Sequence, residues 1–171
     1  MLESIKNRRT CRNYDINKIV EEEKINEIVN AGLLAPSGMN RQTPVAIVIK
    51  DRATRNRLAK LNSKALGRDA DTFYGAPVII MVIAHKEGLS YHDGAAMMEN
   101  MLIEATNQGL CSGWIHRADE EIKSEEGREI LSFTGLNFDD YVGIGHVIIG
   151  YPLGEPIYRE KEIKSGRVFI K

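Results

Sequence analysis

The apolar positions change their period along the chain, and each change marks an element. Residues 2–8 predict a short opening helix. A second helix is predicted to begin near residues 17–20, with Ile25, Ile28, Val29 and Leu33 recurring at helical spacing behind Glu21, Glu22 and Glu23. Acids at that end complement the helix dipole, and Pro36 closes the helix, because the residue before a proline is driven out of the α region. Residues 45–49 form a short β-branched run and read as a strand. Asp51 is a candidate N-cap for helical spacing that runs to Leu61, and the polar, glycine-containing residues 67–74 read as a mobile loop. Residues 78–83 are continuously apolar, the pattern of a strand covered on both faces. Residues 95–109 predict a helix apolar almost all round (Met97, Met98, Met101, Leu102, Ile103, Ala105), the pattern of a central core helix. A strand or strand-like turn at 110–115, an amphipathic stretch at 120–133 interrupted by Gly127, and a strand at 143–149 follow. The tail from Pro152 to Lys171 shows no helical pattern.

At 171 residues, 43% hydrophobic and 27% charged, the chain has the composition of a single globular domain with a real core. A net charge of −1 argues against a nucleic-acid binder held by bulk electrostatics. Cys11 and Cys111 are too few for a disulfide framework. Residues 76–84, the longest apolar run, cannot span a bilayer, and the first residues carry no apolar signal core. The expectation is a cytoplasmic protein with no membrane and no nucleic-acid partner.

Two polar clusters carry the candidate chemistry. Arg8, Arg9 and Arg12 place three guanidiniums within five residues, beside the Thr10 hydroxyl. Guanidinium forks match phosphate oxygens and cannot lose their charge; the competing reading is a solvated basic stretch. The second cluster, residues 35–43, contains Pro36, Ser37, Gly38, Asn40 and Gln42. Other patterns lead nowhere: Gly143-Ile144-Gly145 precedes a strand instead of following one, as a dinucleotide fingerprint would. His92-Asp93 belongs to no group at metal-ligand spacing.

In this order and spacing, Arg8-Arg9-Thr10-x-Arg12-x-Tyr14 and Ala35-Pro36-Ser37-x-x-Asn40-x-Gln42 resemble the FMN-dependent nitroreductase family. Gly75-Ala76-Pro77, residues 109–115 and Ile149-Gly150-Tyr151-Pro152 extend the resemblance over nearly the whole chain. It implies one α+β domain over residues 1–171, a three-layer α/β/α fold around a mainly antiparallel sheet. It also implies a homodimer whose C-terminal arm, residues 153–171, is exchanged with the partner.

The resemblance also implies site roles. Arg8 and Arg9 would bind the FMN phosphate, with Thr10 adding a hydroxyl. Arg12 would serve the N1/O2 edge of the flavin ring, where reduction adds negative charge. Pro36, Ser37, Gly38, Asn40 and Gln42 would reach the flavin held mainly by the other subunit. Trp114, Ile115 and His116 would face the ring, a backbone amide there donating to N5. Arg159 and Lys161, with Arg167 a further tail cation, would complete the phosphate site. No side chain is required as acid or base, and no metal is expected. The implied activity is ping-pong reduction of a nitroaromatic, quinone or similar electron-poor acceptor with NADH or NADPH as donor. A flavin-binding or redox-sensing protein with little turnover is the alternative. The chain departs from the longer relatives between residues 51 and 77. It lacks the extra helical segment that roofs the substrate pocket, and the usual Asn and Lys contacts to the ring are not recognisable.

Overall fold

In the most apolar run of the chain, Val78–His85, every residue except His85 is buried. A strand covered on both faces loses its in-out alternation because neither side meets water. The computed structural model describes residues 1–154 and 161–171. In chain order the elements are α1 (Glu3–Asn7), α2 (Glu22–Leu33), β1 (Pro44–Ile49), α3 (Arg52–Leu66), β2 (Val78–His85) and α4 (Ser90–Asn107). These are followed by β3 (Cys111–Ile115), α5 (Ala118–Lys123), α6 (Glu125–Ile130) and β4 (Tyr141–Gly150). The four strands pair antiparallel throughout, in the order β1-β2-β4-β3.

Each face of the sheet is covered by its own core. Ile47, Leu58, Phe73, Met81, Ile122 and Ile148 belong to the cluster under α3, α5 and α6. Ile28, Ile80, Met98, Met101 and Val147 belong to the cluster under α2 and α4. This is the three-layer α/β/α arrangement with an antiparallel sheet that the family resemblance implies. Helices α2 and α4 pack closely at Gly32, where an added Cβ would lie 2.4 Å from Met101 Cε and 3.2 Å from Met97 Cγ.

The boundaries differ from the sequence reading for local reasons. α2 starts at Glu22 because Asp15 closes a turn ahead of it, accepting from the Asn17 amide at its carboxylate and from the Lys18 amide at its carbonyl. α3 continues to Leu66 and stops where Gly67 turns left-handed, φ 70°. α4 begins at Ser90, whose hydroxyl accepts from the Glu87 amide and tightens the preceding turn. The stretch 120–133 is broken at Ser124, which caps α6 by accepting from the Gly127 amide at 3.0 Å. Only glycine fits at that amide, since a Cβ would sit 2.0 Å from the Glu121 carbonyl oxygen. Residues 161–171 form no helix or strand, and all are exposed.

Candidate active site

The basic segment lies along the outer edge of the sheet. Thr10 bridges Ser112 in parallel, and the Cys11 amide donates to the Ser112 carbonyl at 2.9 Å. Edge strand β3 thereby fixes Arg8, Thr10 and Arg12 beside itself. Arg8 is partly buried, with Nε 3.7 Å from the Glu99 carboxylate of α4. Arg9 braces the segment, donating from Nη1 to the carbonyls of Lys6 (2.8 Å) and Arg8 (2.7 Å). Thr10 and Arg12 are exposed, and the Arg12 guanidinium carbon lies 5.9 Å from the centre of the Tyr74 ring. Cys11 sits against Cys111. A hydrogen bond from the Cys111 thiol holds the Cys11 thiol down to about 6, against the opposing effect of burial. The same contact pushes Cys111 up.

Four residues along β3 from Ser112, about 13 Å away at strand rise, the chain turns into α5. His116 is exposed there, and Arg117 is left-handed with φ 82°. This turn opens on a cleft of about 390 Å³ whose lining includes Trp114, His116 and Arg117 together with Tyr91 and Ala95 of α4. Tyr91, Ala95 and Glu99 follow one another at intervals of four, so they share one face of α4. A single helix face thus runs from the cleft to Arg8, while Thr10, Trp114, Ile115 and His116 follow the adjoining edge of the sheet.

The second cluster lies elsewhere. Ser37, Pro36 and Gln42 line a separate depression with Asp93 and Met97 of α4. Asp93 and Met97 are two residues out of step with Tyr91 and Ala95, about 200° around the helix. Pro36, Ser37, Gly38, Asn40 and Gln42 are therefore on the far side of α4 from the cleft of their own chain. This loop is tightly wound: Met39, Asn40 and Gln42 all have φ near +53°. Residues held in that region cost about 1–3 kcal/mol each, and such strain clusters at functional sites. The loop is locked by the Gln42 amide donating to Ser37 Oγ (2.9 Å) and Gln42 Nε2 donating to Asn40 Oδ1 (3.1 Å). Lys161 is exposed in the tail, and Arg159 lies outside the described residues.

The model of the nitroreductase family matches residues 5–68, the span that contains both polar clusters. The chain is 28% identical to a Bacteroides fragilis nitroreductase whose crystal structure holds FMN, with a TM-score of 0.87 over 99% of this chain and 97% of that one. The chain is thus similar along nearly its whole length to proteins of the nitroreductase family. An FMN-dependent nitroreductase from Clostridium difficile is 26% identical with a TM-score of 0.81, covering 99% of this chain and 98% of its own. An Archaeoglobus fulgidus protein that carries the provisional name NADH dehydrogenase/NAD(P)H nitroreductase is 29% identical over 94% of this chain and 90% of its own length.

Several stretches that carried the resemblance to nitroreductases are packing devices in this fold. A Cβ on Gly150 would meet Pro77 Cδ at 2.6 Å and Tyr14 Cδ1 at 2.9 Å, so the Gly-Tyr-Pro and Gly-Ala-Pro stretches meet over Tyr14. At Gly143 a Cβ would sit 2.1 Å from the Asp119 amide, and at Gly145 it would sit 2.9 Å from the Ile115 carbonyl oxygen. Those glycines let β4 pass under the turn into α5. Sequence reasoning missed Asn62, Glu121 and His146, which meet beneath that turn. His146 gave a signal, as a basic side chain in the middle of an apolar strand; Asn62 and Glu121 gave none. Among the described residues, no His, Cys, Asp and Glu group could hold a metal ion, and no helix is long and apolar enough to cross a membrane.

Proposed function

We propose that the protein is an FMN-dependent oxidoreductase that takes electrons from NADH or NADPH and passes them to an electron-poor acceptor such as a nitroaromatic or a quinone, working as a homodimer. The observation that carries this reading is the run of donors along β3 and α4. A cationic end at Arg8 and Thr10 is joined by one helix face to a cleft bounded by the backbone turn at His116. The donor set fits FMN, with guanidinium and hydroxyl groups for a phosphate at one end and a polar backbone turn for a heteroaromatic ring at the other. Bound FMN supplies the two-electron carrier between donor and acceptor.

The chain's own residues then have binding and tuning roles. Arg8 neutralises phosphate charge, Arg9 keeps the segment rigid, and Thr10 adds a hydroxyl. Arg12 sets a fixed positive charge for the ring edge that gains negative charge on reduction. Trp114 borders the ring and the turn at His116 offers amide donors, while the Ile115 side chain packs against the core on the other face of the sheet and only its backbone adjoins the cleft. Lys161 and Arg159 of the tail complete the phosphate site. Pro36, Ser37, Gly38, Asn40 and Gln42 serve the flavin of a second copy, a reading supported by their place on the far face of α4. Leu33, Leu34 and Met39 beside that loop are exposed, as are Ile163, Val168, Phe169 and Ile170 in the tail. Apolar groups so placed favour a partner surface, with the tail as the arm exchanged between subunits.

The test is direct. The purified chain, mixed with FMN, should bind about one flavin per subunit and oxidise NADH or NADPH in the presence of a nitroaromatic or quinone. Flavin binding without steady-state turnover would instead make it a flavin-binding sensor; absence of flavin binding would remove both readings.

A further inference from the structure

Beneath the turn into α5, three buried polar side chains form a hydrogen-bonded frame. Asn62 (0% exposed), Glu121 (1%) and His146 (0%) come from α3, α5 and β4. Asn62 Nδ2 donates to the Glu121 carboxylate at 2.6 Å and to the His116 carbonyl at 2.8 Å. His146 Nε2 meets the other Glu121 oxygen at 2.8 Å, and its Nδ1 lies 3.3 Å from the Ile115 carbonyl. A carbonyl oxygen can only accept, so Nδ1 carries a proton. The remaining contact is satisfied by one proton between Nε2 and the carboxylate.

The consequence falls on the opposite side of the turn. In a trans peptide the C=O and N–H point in opposite directions. Drawing the Ile115 and His116 carbonyls down onto the frame turns the amides of His116 and Arg117 away from it, towards the cleft. The left-handed φ of Arg117, which costs a non-glycine residue free energy, is held by the same contacts. Burying a carboxylate, an imidazole and an amide is itself expensive unless they are paired. Here both carboxylate oxygens, both ring nitrogens and Asn62 Nδ2 are paired, while Asn62 Oδ1 has no partner among the described residues. Ile115 and His116 are the backbone groups to which that pairing is directed.

We infer that Asn62, Glu121 and His146 are positioning residues that fix the direction of the His116 and Arg117 amides, and that through them they set the preference of the site for one redox state of the flavin. The inference rests on the proposed flavin function for its second half only. Asn62→Leu keeps the volume and removes the donor to the His116 carbonyl, with Asn62→Ser as the variant should the first not fold. Glu121→Gln can accept from Asn62 and donate to an unprotonated His146 Nε2, so it preserves every hydrogen bond of the frame.

The first measurement uses the flavin-free protein. Backbone 15N relaxation at His116 and Arg117 should show a rigid turn in the wild type and in Glu121→Gln, with order parameters of about 0.85. In the Asn62 variant they should fall below about 0.6. The second uses the FMN-loaded protein. The ratio of affinities for oxidised and reduced FMN, read from the midpoint potential, should change about tenfold in the Asn62 variant, equivalent to about 30 mV for a two-electron couple. It should stay within twofold in Glu121→Gln. Unaltered relaxation in the Asn62 variant overturns the frame. Loosened amides with an unaltered midpoint overturn its role toward the flavin. If the wild type takes up no FMN, the proposed function fails while the relaxation data still decide whether the frame exists.

Discussion

The Gly38 amide points at the Asp93 carboxylate, 3.1 and 3.2 Å from its two oxygens. Asp93 is buried in the first turn of α4, where the helix dipole also favours its charge. One side chain therefore fastens the strained loop of residues 37–42 to the helix whose other face borders the cleft. Asp93→Ala should leave the Gly38 amide unpaired and lower stability by about 1–3 kcal/mol, measured by thermal or urea unfolding. Asp93→Asn retains an acceptor and should lose less.

The elements legible in the sequence were those whose pattern is set by covering on one or both faces. The run at 78–83 and the methionines of α4 announce burial without any knowledge of partners. Positions decided by a backbone contact were not legible. The break at Ser124 depends on Gly127 passing the Glu121 carbonyl, and no periodicity records that approach. The two polar clusters were visible because arginine and Asn-Gly-Pro-Ser stretches are compositionally unusual. That they fall on opposite faces of α4 follows only from the helix starting at Ser90, five residues before the apolar pattern begins.

Among the described residues, the ion pair of Arg8 is a distant one with Glu99, an exposed carboxylate. Exposed pairs of this kind contribute between 0 and about 1 kcal/mol, so Arg8 can exchange that partner for a phosphate at small expense. Arg8→Ala should weaken FMN binding by roughly 1.5–3 kcal/mol, about tenfold to more than a hundredfold, by fluorescence titration. Glu99→Gln removes the competitor and should leave FMN affinity equal or tighter, with no measurable fall in stability. Weaker binding in Glu99→Gln would show that the pair positions Arg8 rather than competing for it.

Arg12 rests near the Tyr74 ring, and among the described residues no carboxylate pairs with it. Arg12→Ala should lower the flavin midpoint by tens of millivolts, since one charge-assisted hydrogen bond is worth roughly 1.5–3 kcal/mol and 1.4 kcal/mol corresponds to about 30 mV. Arg12→Lys should fall between, keeping the charge and losing the fork. Potentiometric titration of the three proteins decides the matter, and an unaltered midpoint in the alanine variant would take Arg12 off the ring edge.

Cys11 should behave as an acidic thiol. Its value is lowered from 9.0 to about 6, first by the Cys111 thiol that donates to it. The rate of alkylation by iodoacetamide should therefore rise through pH 6 and level off near neutrality. In Cys111→Ala the rise should move toward the ordinary thiol range. The linkage has a definite sign. A depressed folded-state value makes the thiolate a stabilising species, so this contribution is complete above pH 9 and is lost as pH falls through 6. Partial exposure of Cys11 keeps it small.

The tail presents Val168, Phe169 and Ile170 at 77%, 91% and 92% exposure, and Leu33 and Leu34 of the same chain are exposed at 55% and 83%. These are large apolar side chains left in water by a folded chain, and a second copy can cover them, each fully buried side chain contributing about 1.5–3 kcal/mol. Sedimentation should accordingly give a dimer at micromolar concentration. Deleting residues 153–171 should yield an aggregating or flavin-free chain, because the arm and the tail cation Lys161 leave together. The variant Phe169→Glu separates these two effects. It leaves Lys161 in place and puts a charge where an apolar contact is expected, so it should weaken the dimer and FMN binding in parallel. A soluble monomer that retained wild-type FMN affinity would show that each chain holds its flavin alone, and that the loop of residues 37–42 serves something other than its partner's site.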